Sequence, residues 1–194
     1  HYDIDAELDP LNQTLSVSQT IILKNPSKKK LKIIYLNDWA NSFKGSPTPL
    51  SNHLANQFNR SFYISAKNKL GFTKIEELKS KKNKILWSRL KGQEDIIEVK
   101  FDRPVIEDEE IILNLKYEIK LPDDKFTGIG INSNNRIILR DFFVSLSPFI
   151  NKKWLLQSNL GLRDNSHRPS SYRIKWTYPS NFKIVSNLTQ NNKK

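Results

Sequence analysis

Two neighbouring runs alternate apolar and polar residues with a period of two, and that period commits the start of the chain to strands. In "YDIDAELD" (Tyr2 to Asp9), Tyr2, Ile4, Ala6 and Leu8 fall on one face and Asp3, Asp5, Glu7 and Asp9 on the other, as in a half-buried strand. "PLNQ" turns the chain. "TLSVSQTIILK" (Thr14 to Lys24) then resumes the alternation with Leu15, Val17, Gln19 and Ile21 on one side, which predicts an antiparallel hairpin. "LKIIYL" (31–36), "KILWSRL" (84–90), "DIIEVKF" (95–101) and "EIILNLKYEIKL" (110–121) repeat the signal. "NSNN" (132–135) reads as a hairpin loop between "FTGIGI" and "RIILRDFF", and "SYRIKWTYP" with "NFKIVSNL" reads as a closing pair of strands around Pro179-Ser180. Only "PLSNHLANQFNRSF" (49–62) has helical spacing, with Leu54 and Phe58 as its apolar face. The expectation is an all-β, antiparallel architecture with one short helix, forming a single domain over residues 1–194.

Charge narrows the partners. The chain carries 32 Lys and Arg against 20 Asp and Glu, a net +12, but the excess is concentrated in "KNPSKKKLK" (24–32), "KSKKNK" (79–84), "NKK" (151–153) and the final "NNKK". These lie between or after apolar runs and read as solvated turns and ends. A nucleic-acid module would interleave aromatics with its cations or line them along one helix, so no specific nucleic-acid partner is expected, only weak, salt-sensitive binding. With no cysteine there is no disulfide, thiolate zinc site or Cys nucleophile. No apolar run approaches the roughly 20 residues that a membrane-spanning helix needs. The chain opens at His1, lacks Met and enters a strand pattern at once, which reads as a piece of something longer.

The residues that could carry chemistry do not assemble into a motif. The 3 histidines, His1, His53 and His167, lack the His-Glu-x-x-His spacing that puts two imidazoles on one helical face. His53 reads as a surface helix residue, and His167, with Asp164, Ser166 and Ser170 nearby in sequence, lacks the rigid frame on which a triad converges. Glu107 to Glu110 and Asp123-Asp124 read as solvated turns without calcium-loop spacing. The glycines of "GIGINS" lack a phosphate loop leading into a helix. "YLNDWANSFKGSPTPLSNHLANQF" (35–58), rich in Trp, Asn, Asp, Ser and His, has a composition that suits a binding site or a structural connection.

The order of features resembles a family. Asp9-Pro10 with Leu15, Asn25-Pro26-Ser27, and Leu36-Asn37 with Asn41 and Phe43 are similar to the opening of the aminopeptidase-N-like zinc metallopeptidases, the gluzincins. "FDRPVIEDEEIILNLKYEIKLP" matches a later segment of that family at Pro104, Tyr117 and Leu121-Pro122, with Glu109 near the family's usual Gly, and "RDFFVSLSPF" and "SSYRIKWTYPSNFKIVSN" resemble its closing strands. The variant with Asn37-Asp38-Trp39, Asn41-Ser42-Phe43 and Thr48-Pro49-Leu50 looks most like members from Bacteroidetes-type bacteria.

The resemblance implies an amino-terminal, saddle-like β-sandwich that carries neither metal nor catalytic residue. Zinc would be held by a downstream catalytic domain of the same polypeptide, which is the implied partner along with that domain's peptide substrate. It implies that the 35–58 segment is a connection, with Trp39 and Phe43 as buried anchors and Asn37, Asp38 and Asn41 satisfying backbone groups. It also implies a loop facing the substrate cleft just before Ile137 to Pro148. The family's Gln or Glu is missing there, and the polar residues available are Arg136, Arg140 and Asp141, of which Asp141 offers a carboxylate for a substrate ammonium or a surface ion pair with Arg140. The absence of cysteine suits a reduced cytosol and a disulfide-free bacterial envelope alike, and the cell envelope or periplasm is the favoured expectation. The alternative is a stand-alone β-sandwich binding glycans or proteins through an aromatic platform, for which Trp87, Trp154 and Trp176 are available, Trp154 being the one expected to be exposed and Trp176 to face the core.

Overall fold

A computed structural model describes residues 1–27, 29–162 and 169–189. Its larger strands are β1 (Tyr2–Asp9), β2 (Thr14–Lys24), β3 (Leu31–Asn37), β4 (Phe72–Ser80), β5 (Ile85–Leu90), β6 (Gln93–Val105) and β7 (Glu110–Lys120). Short strands follow: β8 (Gly130–Ile131), β9 (Ile137–Ile138), β10 (Ser145–Leu146), β11 (Phe149–Ile150) and β12 (Lys153–Trp154), and then the longer β13 (Tyr172–Thr177). They form a five-stranded sheet in the order β13-β1-β2-β7-β4 and a four-stranded sheet in the order β10-β3-β6-β5. One core cluster takes Ile4, Leu15, Val17 and Ile21 from the first sheet and Ile34, Leu36, Ile97 and Val99 from the second, so the sheets form an all-β sandwich. β1, β2 and β7 supply alternate residues to that core, which is why the period-two pattern was informative.

Among the described residues, helix is confined to the long β3–β4 connection. A 3-10 turn, Trp39–Phe43, follows β3, and α1 (Pro49–Asn56) begins where Thr48 accepts a hydrogen bond from the Ser51 N–H while the Ser51 hydroxyl is bonded by the Thr48 N–H. Pro49 at the first helical position completes a strong start signal. A single further turn, α2 (Ser61–Ile64), buries Phe62, which stacks on Phe126 at 4.2 Å.

Three local expectations need correction. Phe58 is not on the apolar face of a helix: it follows α1 with φ of 61° and is 94% exposed, because the helix ends at Asn56 and the left-handed residue turns the side chain outward. "NFKIVSNL" forms no strand. β13 instead adds to β1 in parallel, with Ile4 opposite Ile174 and Ala6 opposite Trp176, and becomes the edge strand, while the next segment does not extend the sheet and Val185 is 95% exposed. β4 was not anticipated, because its register shifts between Ile75 and Glu77 and the extra Glu76 breaks the alternation.

Candidate functional site

The 35–58 segment opens into the densest buried polar network among the described residues. Where β3 ends, Asn37 accepts the Ser147 hydroxyl at 2.6 Å and the Asp38 N–H donates to the Asp95 carbonyl at 2.8 Å. The fully buried Asp38 carboxylate accepts the Thr73 hydroxyl on one oxygen and Arg89 Nη2 on the other, both at 2.7 Å. Arg89 also donates to the Glu94 carbonyl at 2.6 Å, and Asn41 spans the same gap by donating to the Glu94 carbonyl and accepting the Thr73 N–H. A second carboxylate, Asp95, accepts the Ser158 hydroxyl at 2.9 Å and the Asn159 N–H at 2.7 Å. Trp39, 5% exposed, donates its indole N–H to the Gln157 carbonyl at 3.1 Å, and Phe43, 1% exposed, lies near Phe62 and Phe142. The network ties β3, β4, β5, β6 and the 157–159 stretch to one point.

Both oxygens of each buried carboxylate are thus occupied by protein donors, an arrangement suited to cross-linking strands rather than to holding a substrate. Burial raises the carboxyl of Asp38, with Arg89 and Thr73 pulling the other way. Burial likewise raises Asp95, opposed by the Asn159 N–H and the Ser158 hydroxyl. With Asp95 raised, at pH values between the ordinary and the raised value the folded form binds more protons there than the unfolded chain does. This contribution to stability is present at about pH 4, the ordinary carboxylate range, and is lost as pH rises through the folded value. Denaturant titrations of the native protein and Asp95→Asn should therefore show the difference moving in favour of the variant between about pH 4 and about pH 8. A difference that is the same at both pH values would contradict burial as the governing cause.

The structure brings together only part of the anticipated cleft set. Arg140 and Asp141 lie just beyond β9, with Nε of Arg140 3.7 Å from the Asp141 carboxylate and Nη2 3.4 Å from the Leu162 carbonyl. Asp141 has a φ of 54° and is half-buried. Arg136 sits at the other end of β9 with its side chain exposed, while its main chain closes the 132–135 loop through Asn132. The preceding hairpin requires glycine at 130, where a Cβ would meet the Pro122 carbonyl oxygen at 2.1 Å.

Among the described residues no histidines are gathered into one site. His1 lies 2.8 Å from the Ser171 hydroxyl and His53 3.2 Å from the Gln57 amide on α1. His167, with Asp164 and Ser166, lies outside the described residues. The Glu107 to Glu110 turn is more ordered than a solvated run, because Glu109 takes the Arg103 guanidinium on both oxygens and caps the Ile106 N–H. Trp154 is not an exposed platform: it is half-buried, edge-on to Tyr35 at 6.0 Å and Phe149 at 5.0 Å. Trp176 packs on Phe143 at 5.7 Å, and Trp87 is 38% exposed. Sequence reading also missed Thr73, Arg89, Asp95, Ser158 and Asn159. Arg89 stands on the same face of its strand as the half-buried Ile85 and is itself half-buried.

No family profile and no curated protein matches this chain. Among solved structures, it is similar to the M1 zinc metallopeptidase from Deinococcus radiodurans, at 16% identity and a TM-score of 0.39, over 62% of this chain and 20% of that one. It is also similar to an aminopeptidase N family protein from Idiomarina loihiensis, at 12% identity and a TM-score of 0.25, over 62% of this chain and 15% of that one. The chain thus spans a fifth or less of the length of these structures.

Proposed function

We propose that this chain is a non-catalytic accessory domain of an aminopeptidase-N-like zinc metallopeptidase, packed on a downstream catalytic domain of the same polypeptide and bordering its substrate cleft. The observation that carries this reading is the placement of the residues on which the sequence resemblance rests. Asn25 donates to the carbonyls of Lys29, Val105 and Ile106, and Tyr117 donates to Gln19 at 2.6 Å. Asn37 and Asn41 belong to the buried network, while Phe43 and Leu121 are core residues. Motif residues from segments far apart in sequence therefore serve as framework, as an accessory domain requires.

Zinc belongs to the catalytic domain in this reading. Among the described residues no group of three or more His, Cys, Asp or Glu is placed to hold a metal ion, and the buried acids are already bonded to protein donors. Arg140 and Asp141 are the cleft-edge candidates, with Arg136 beside them in sequence, and the parent protein is a bacterial envelope or periplasmic peptidase. The alternative, a stand-alone module binding glycans or proteins through an aromatic platform, is left with Trp87 at 38% exposure, because Trp154 and Trp176 are packed against other aromatics.

The test is an assay of the purified chain against aminoacyl anilides together with a metal analysis. The expected result is no hydrolysis and no stoichiometric zinc. Hydrolysis that persists through purification and is abolished by a chelator would overturn the non-catalytic reading.

A further inference from the structure

β4 and β5 are the edge strands of their respective sheets, and the turn over residues 81–84 joins them. Arg89 closes one end of the gap between them through Asp38 and the Thr73 carbonyl. At the other end the strands border a groove of about 580 Å³. Its apolar lining is Leu78, Ile85, Leu86 and Phe101, and its charged lining is Lys79, Lys84 and Lys100 against the single acid Asp102. Lys79 and Lys100 lie 2.7 Å from Glu77 and Glu98, whereas Lys84 makes no ion pair among the described residues.

Three features of this groove point to an extended peptide. β5 pairs only with β6, so alternate N–H and C=O groups along its outer side lie unpaired within the described sheets, beside Leu86 at 77% exposure. Asn83 lines the groove, is 8% exposed, and neither its amide nitrogen nor its amide oxygen has a hydrogen-bond partner among the described residues. The hydroxyl of Ser80, also in the lining, is in the same position. A side-chain amide offers one acceptor and N–H donors side by side, the complement of a passing peptide unit, and buried groups of this kind are nearly always bonded. Lys84, the lining lysine without an ion pair among the described residues, selects an acidic side chain.

We propose that the β4–β5 groove binds an extended acidic segment of a partner protein, added as a further strand on β5. Its main chain pairs with β5 and the Asn83 amide, its apolar side chains cover the exposed Leu86, and a carboxylate meets Lys84. This inference is independent of the peptidase reading.

The test uses the whole chain and a fluorescein-labelled octapeptide alternating Val with Glu, followed by fluorescence anisotropy. Saturable binding is expected, weakened at least about tenfold when Lys replaces Glu in the peptide, when alternate residues are Pro, or when the protein carries Lys84→Glu. Asn83→Ala should weaken binding while leaving the thermal midpoint unchanged or raised, an outcome that a purely structural Asn83 would not give. Absence of saturable binding would overturn the proposal, as would binding indifferent to both Lys84→Glu and Asn83→Ala. Self-association appearing with Lys84→Glu in the absence of peptide binding would also overturn it, by assigning the lysines to guarding an edge strand against its own copies.

Discussion

Trp39→Ala is expected to destabilise the domain by about 3 to 5 kcal/mol, a large share of the 5 to 15 kcal/mol of a typical domain. The indole is almost fully buried and donates to the Gln157 carbonyl, so truncation both opens a cavity and removes a cross-link between the β3–β4 connection and the 157–159 stretch. Its carbonyl also accepts from Ser42 and Asn159, which ties the same turn together from the backbone side. For a chain of this length the loss corresponds to a fall in unfolding midpoint on the order of 10 °C. A midpoint within about two degrees of the native protein would contradict the connection reading of the 35–58 segment and would direct ligand searches to Asp38, Trp39, Asn41 and His53.

Arg89→Ala should cost a comparable amount, about 3 to 5 kcal/mol, for a different reason. The Asp38 carboxylate is fully buried and Arg89, with 21% of its side chain exposed, is its charge partner, so removal leaves a desolvated anion held only by the Thr73 hydroxyl and nearby main chain. The penalty arises from the stranded charge more than from the lost contact. Replacing both members with uncharged residues of similar size, as in Asp38→Asn with Arg89→Met, should therefore cost clearly less than Arg89→Ala alone. Urea titrations of the single and double variants check this. A double variant at least as unstable as the single one would show that hydrogen-bond geometry, not charge burial, governs the pair.

Legibility in the sequence followed the range of the interactions. β1 and β2 were readable to their last residues because alternation and an intervening turn are local signals. β4 was hidden by a one-residue bulge at Glu76, and the parallel pairing of β13 with β1 joins Tyr2 to Tyr172, which no local pattern encodes. The same holds for the polar network. Asp38, Trp39 and Asn41 stood out as a cluster in sequence, but their partners Thr73, Arg89, Asp95 and Asn159 come from four separate segments and were invisible until the sheets placed them together. Phe58 shows the converse case, in which a helical spacing was present but the helix stopped one turn short.

The central claim, that this domain serves a downstream zinc peptidase, is tested most directly by sequencing the transcript past the codon for Lys194. The account predicts that the reading frame continues into a segment containing His-Glu-x-x-His followed by a spaced Glu, the ligand set for a catalytic zinc. A stop codon shortly after Lys194 would contradict it and leave a stand-alone binding module.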